Sequence, residues 1–184
     1  YIYTNTYGCS SISHSLIHSF TQSLIPCGSA LTDIRDGKVY PTVQIGSQCW
    51  MQKNLDYGTA IPSTNPQTEN CIPEKYNCPL SIVNCQLSLY QWDELMRYET
   101  TPSAQGLCPP GWHIPASAEW SALINWLGGA ATAGSAMKDP FAAGGFHSEQ
   151  TGFLYLNYRW AFFDDSYAGA MYWTSTPSGS DRPM

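Results

Sequence analysis

The chain has 184 residues, 8 basic against 14 acidic side chains and a net charge of −6, with charged residues making up only 12% of it. That length suffices for one domain with a real core. The negative balance argues against nucleic acid or an anionic membrane surface as partner, and no apolar run approaches the ~18 residues of a membrane-spanning helix. Asn, Gln, Ser, Thr and Gly supply the solubility instead, a habit of extracellular proteins, while Trp and Tyr are abundant at 7 and 12. The cysteines are Cys9, Cys27, Cys49, Cys71, Cys78, Cys85 and Cys108. None forms a C-x-x-C pair, so disulfides in an oxidising compartment are expected rather than a zinc site. An odd count leaves one thiol free or bonded outside the chain.

Residues 1–30 are rich in Ser and Thr and read as a linker or the tail of a preceding segment. His14 and His18 are four apart and could share a metal on a helix face. With no third ligand nearby, two exposed histidines are the favoured reading. The absence of an initiator Met and of a signal peptide suggests a processed chain. The domain is expected over 31–184. Asp36-Gly37 is a two-residue hairpin signal, and Val39, Val43 and Ile45 alternate with Tyr40, Thr42 and Gln44 as on a strand with one buried face. Pro41 points to an edge or a bulge. With Gly46-Ser47 as the next turn, a three-stranded antiparallel meander is expected over 31–54, burying most of Trp50.

Residues 55–86 read as a long irregular loop with three cysteines. Cys78 and Cys85 are expected to close a short loop, and Cys27 with Cys49 to tie the first segment to the meander; Cys9 and Cys71 stay unassigned. Leu89, Trp92, Leu95 and Met96 sit at helical spacing, which predicts a first helix over 86–98. Asp93 and Glu94 on it are neighbours pointing ~100° apart, a solvated face rather than an acid/base pair.

The stretch CPPGWHIPASAEWSALINWLGG, 108–129, is the keystone. Trp120, Leu123, Ile124 and Leu127 fall on one helix face, and Gly128-Gly129 ends the helix. Trp112 and Trp120 are expected to be buried. A short helical turn should follow to Asp139. Phe153, Tyr155 and 158–163 read as strands, Asp164-Asp165-Ser166 as a turn, and 171–175 as a further strand. Tyr155, Tyr158, Trp160, Tyr167 and Tyr172 offer aromatic faces for a ligand. Asp164 and Asp165 could join them or hold Ca²⁺, although a plain turn is favoured and no other cofactor is expected. His113 and His147 lack a recognisable nucleophile motif, and no glycine-rich phosphate loop is present. Catalytic residues are therefore not expected.

In order along the chain stand DIRDGKVYPTVQIGSQCWMQKNLDYG, LYQWDELMRY, GLCPPGWHIPASAEWSALINWLGG, AGSAMK, TGF and YWTST. This succession resembles the Fibrobacter succinogenes major paralogous domain family, common in secreted and surface proteins of Bacteroidota and Fibrobacter, over roughly 31–177. The resemblance implies an α+β fold distantly related to C-type lectin-like domains, with twisted antiparallel sheets, two main helices and long irregular loops. It also implies a secreted or cell-surface location and an adhesive or recognition role, with no catalytic residues to carry over. Three departures stand out. Ala116 replaces the usual Thr of a Thr-x-x-Glu capping box, so either the cap is weakened or Ser117 takes over. Gln86-Leu87-Ser88 replaces a Gly-containing turn. Members also continue past YWTST to a final strand whose cysteine answers that of the CPPGWH block. The domain is thus expected to lack its last strands, leaving Cys108 unbonded beside an open sheet edge.

The function expected is a non-enzymatic extracellular module for adhesion or recognition of a glycan or protein. The alternative is a structural subunit of an extracellular filament or surface assembly, pairing with neighbours through 1–30 or a sheet edge. An oxidase of the kind that the lectin-like fold also hosts would need a reactive cysteine pair, and none follows residue 108.

Overall fold

The computed structural model describes residues 2–4, 10–12, 26–77, 88–139, 145–148, 153–155, 159–161 and 171–177. The described chain is α+β: short ribbons and one small mixed sheet, with three helices. No helix among the described residues is long and apolar enough to cross a membrane. An N-terminal ribbon joins β1 (Ile2–Thr4) antiparallel to β2 (Ser10–Ile12).

The expected three-stranded meander is two separate hairpins. β3 (Leu31–Thr32) pairs with β4 (Val39–Tyr40), and β5 (Thr42–Ile45) with β6 (Gln48–Met51). Pro41 stands between them without an N–H to continue the ladder; its carbonyl still accepts from Gln52 N–H at 2.8 Å. The first turn is also longer than the two residues expected. Asp33 N–H bonds Lys38 O and Gly37 N–H bonds Asp33 O, both at 2.7 Å, so 34–37 form the loop. Asp33 governs it: its carboxylate takes the Arg35 N–H at 3.0 Å and the Arg35 guanidinium at 2.6 Å. The break at Pro41 changes which face is buried. Tyr40, Thr42 and Ile45 are inside, whereas Val39 is 51% exposed.

The 55–86 stretch is not wholly irregular. β7 (Thr59–Ile61) runs parallel to β8 (Glu74–Asn77), which pairs antiparallel with β9 (Ser88–Leu89). β9 takes the residues expected to open the first helix, and α1 spans only Trp92–Leu95. Two local facts shorten it. Gln91 is held extended by a reciprocal pair of bonds with Gln67, at 2.6 and 2.9 Å. Arg97 and Tyr98 then take positive φ, 55° and 62°, which no helix continues. Glu94 is buried rather than solvated. Burial pushes its carboxyl pKa up, although Glu74 N–H and Tyr98 OH donate to it at 2.9 and 3.0 Å.

The keystone helix α2 (Ser117–Trp126) and the following α3 (Ala130–Lys138) form as expected, separated by Gly128 and Gly129 with φ of 92° and 91°. Ala116 is the N-cap and has no side-chain oxygen to offer. Glu119 supplies the return half of the box by accepting Ala116 N–H at 2.8 Å. Ser117 does not take over the cap. Its own N–H is satisfied by the Thr176 hydroxyl at 3.0 Å, a cap delivered from 59 residues away. Thr176→Ala is expected to cost about 1 kcal/mol, read as a small drop in melting midpoint; an unchanged midpoint would show that water replaces the hydroxyl without loss.

Two core clusters result. Ile45, Trp50, Leu123, Leu127, Ala133 and Phe146 join the β5–β6 hairpin to α2 and α3. Trp92, Leu95, Met96, Leu107, Cys108 and Ile114 join α1 to the keystone loop. Gly106 makes the second cluster possible. Its φ is +54°, and a Cβ there would stand 2.3 Å from Leu95 O. Only glycine lets this loop lie against the end of α1, where Leu107 N–H bonds Leu95 O at 2.8 Å. A second ribbon, β10 (Phe153–Tyr155) with β11 (Arg159–Ala161), is antiparallel.

The expected Cys27–Cys49 disulfide is present. Beside it, Thr42 Oγ1 accepts Gly28 N–H at 2.9 Å and donates to Ser29 O at 2.7 Å. Cys108 is a free, buried thiol, as the resemblance implied; burial pushes its pKa up to about 12. Cys71 is disulfide-bonded. The Cys78–Cys85 pairing lies outside the described residues.

Candidate functional site

Between the two clusters opens a cleft of about 820 Å³. Its walls are aromatic: Trp50, Tyr90, Trp112, Trp120, Tyr172 and Trp173. Trp50 is 7% exposed and belongs to the core as expected. Trp112 and Trp120 are only half-buried, contrary to expectation. Each packs one side against a cluster and turns the other to the cleft. The rings brace one another. Trp50 and Trp120 have centroids 4.9 Å apart, Trp120 stacks on Tyr172 at 5.3 Å, and Phe146 meets Tyr172 edge-on at 5.7 Å. Contacts of this kind prefer offset and edge geometries and fix ring orientation.

The wall formed by 171–176 is not the strand expected. Its carbonyls are claimed by indoles instead. Trp92 Nε1 donates to Thr174 O at 2.7 Å and Trp120 Nε1 to Trp173 O at 3.1 Å. Trp173 Nε1 donates to Tyr90 O at 2.9 Å, tying the segment to the start of α1. Ser175 N–H bonds Pro115 O at 2.8 Å, and Ser175 Oγ accepts Ser103 N–H at 2.8 Å. With those groups engaged, no ladder partner is needed.

Polar chemistry enters at Glu119. Its carboxylate meets His113 Nε2 at 2.7 Å, Ser103 Oγ at 3.2 Å and Ala116 N–H at 2.8 Å. Burial would raise its pKa, but the Ala116 N–H and His113 outweigh that and hold it below the usual carboxylate range. An ionised acceptor therefore stands on the cleft wall beside a half-exposed imidazole. The trio contains Ser, His and Glu, yet every bond runs to the carboxylate. The serine that a nucleophilic triad would place on the imidazole is placed on the glutamate instead.

A second polar cluster lies outside the cleft lining. Arg35 pairs with Asp33, lies 3.8 Å over the Tyr57 ring and donates to Leu107 O at 2.9 Å, joining the β3–β4 hairpin to the keystone loop. Among the described residues no group of three His, Cys, Asp or Glu is placed to hold a metal ion.

Of the ligand residues expected from sequence, Tyr158, Asp164, Asp165 and Tyr167 lie outside the described residues. Tyr155 pairs with Arg159, and Trp160 with Leu154, across the β10–β11 ribbon. Of the aromatics first named for a ligand, Tyr172 is the one that lines the cleft among the described residues. The other cleft rings come from segments read as core or as strand; the recurrence of Trp in the keystone and YWTST blocks was the available signal.

Residues 43–184 match the family model described as the Fibrobacter succinogenes major domain. No curated protein and no solved structure gives a significant match.

Proposed function

The chain belongs to the Fibrobacter succinogenes major domain family, and from that membership together with the cleft we propose an extracellular, non-enzymatic surface module that recognises a glycan. The observation that carries the reading is the aromatic cleft with an ionised Glu119 and His113 on its wall. Aromatic faces take the apolar C–H face of a sugar, and a carboxylate and an imidazole take its hydroxyls; pockets of this composition suit small ligands with a few fixed polar groups. The charge supports a neutral sugar, since Glu119 repels uronic and sialic acids. The Cys27–Cys49 disulfide supports an oxidising, extracellular setting. The α+β content, with two longer helices and long connecting loops, supports a distant C-type lectin-like relationship.

Titration with neutral oligosaccharides, followed by tryptophan emission and by calorimetry, is expected to give a saturable signal that persists in a chelator. Trp173→Ala, at a residue 37% exposed, should weaken it by roughly tenfold. Absence of both heat and emission change across the sugar series removes the glycan reading.

A structural-subunit reading is favoured by one feature. Ile34, in the loop of the β3–β4 hairpin, and Val39 on β4 are 82% and 51% exposed, apolar side chains that a neighbouring subunit would cover. Light scattering at micromolar concentration tests it: a strictly monomeric mass excludes self-assembly.

A further inference from the structure

Trp126 stands outside both core clusters, and 65% of it is open to solvent. Leaving most of a Trp exposed forfeits burial that this aromatic-rich chain obtains at Trp50 and Trp92. The ring is nonetheless held. It lies against Gly46 at the tip of β5–β6, where φ is +61° and a Cβ would come within 3.3 Å of the indole. One side of the indole therefore rests on bare backbone and the other faces outward, pre-positioned.

The same tip borders the cleft. Ser47 and Gln48, the next two residues, line it, and the Gln48 amide donates to Glu119 O at 3.2 Å. Trp120, on the cleft wall, and Trp126 are six positions apart on α2, about 9 Å along its axis and about 120° around it, so the path between them passes over the β5–β6 tip. The exposed residues of the helix between them, Ser121, Ala122 and Asn125, are uncharged, so the surface from cleft to platform matches a neutral chain rather than an ionic one.

We propose that Trp126 is an outer stacking platform of the same site, so that the ligand is an extended neutral oligosaccharide running from the cleft over the β5–β6 tip. This rests on the glycan reading above. The test uses the whole chain and neutral gluco-, manno- and N-acetylglucosamine oligosaccharides of two and of six units. Trp126→Ala is expected to weaken hexasaccharide binding roughly tenfold while leaving disaccharide binding unchanged, and Trp126→Phe should restore most of the loss. Trp173→Ala, inside the cleft, should weaken both lengths. If Trp126→Ala leaves the hexasaccharide constant unchanged while Trp173→Ala still weakens both, the platform is wrong and the cleft reading stands. Equal weakening of both lengths with a lowered melting midpoint makes Trp126 a prop for the hairpin and overturns the platform. If the native chain binds neither length, both readings fall. Should the alanine variant lose its cooperative melt, Trp126→Gln provides the length comparison.

Discussion

Trp92→Ala is expected to destabilise the fold by about 3–5 kcal/mol, the usual range for deleting a buried indole. The residue is 3% exposed at the start of α1. A helix of four residues has no stability of its own and exists only through the packing of its side chains. Trp92 is the largest member of the cluster that joins α1 to Leu107, Cys108 and Ile114. It also holds the far wall of the cleft, because its Nε1 donates to Thr174 O at 2.7 Å. For a chain of this length such a loss lowers the melting midpoint by roughly 6–20 °C. Trp92→Phe separates the two roles. It keeps most of the apolar volume and leaves the Thr174 carbonyl without its donor, for about 1–2 kcal/mol. That variant should also bind sugar more weakly, since Trp173 on the loosened segment lines the cleft. A midpoint within a degree or two of the native value for the alanine variant would mean that α1 and the keystone loop do not depend on one another.

The parts of this fold that were legible in the sequence are those whose cause is local. α2 shows in the spacing of Leu123, Ile124 and Leu127, and Gly128-Gly129 marks its end because both take positive φ. The β5–β6 hairpin shows in its Gly46-Ser47 turn. What stayed hidden depends on distant partners. β7 has three residues, two of them exposed, and becomes a strand only by running parallel to β8 beyond the intervening loop. Helical spacing around Trp92 extended too far because the Gln67–Gln91 exchange, between residues 24 apart, cannot be seen from periodicity. YWTST carries strand-like residues, yet its carbonyls meet indoles about 80 residues upstream and 53 residues upstream rather than a ladder. The site was harder still. A tryptophan lining a cleft and one filling a core occupy the same apolar position of a pattern, which is why Trp112 and Trp120 read as fully buried. The free Cys108 was legible through family resemblance, not through spacing.

Asp56→Asn is expected to remove a stabilising contribution that depends on pH in a defined window. Asp56 gathers two cations and a hydroxyl. Lys38 Nζ reaches its carboxylate at 2.8 Å, and Lys75 Nζ and Ser88 Oγ bond the other oxygen. Lys38 is also 3.3 Å from Asp36, and Tyr40 OH accepts the Asp56 N–H at 3.1 Å. Lys75 is the vulnerable partner, because its side chain is only 10% exposed. The carboxylate ties Lys38, in the turn before β4, to β8 and β9, and the Asp56 backbone N–H adds Tyr40 of β4. Burial alone would raise the Asp56 pKa, but the hydrogen bonds from Lys38, Lys75 and Ser88 outweigh it and lower it from 3.8 to about 2. A folded-state pKa below the unfolded one means stability that is fully present above pH 3.8 and lost as pH falls toward 2. Asp56 is itself more than one third exposed, so solvent screens part of the attraction, and the loss at neutral pH is about 1–2 kcal/mol. Denaturant midpoints measured across acid pH should therefore show native and Asp56→Asn proteins converging between about pH 4 and pH 2. A constant difference through that window would place the effect of the substitution in packing rather than in the charge. Lys75→Met supplies the complementary arm: it removes the buried cation, raises the Asp56 pKa toward its ordinary value, and should shift the acid limb of the native curve upward in pH.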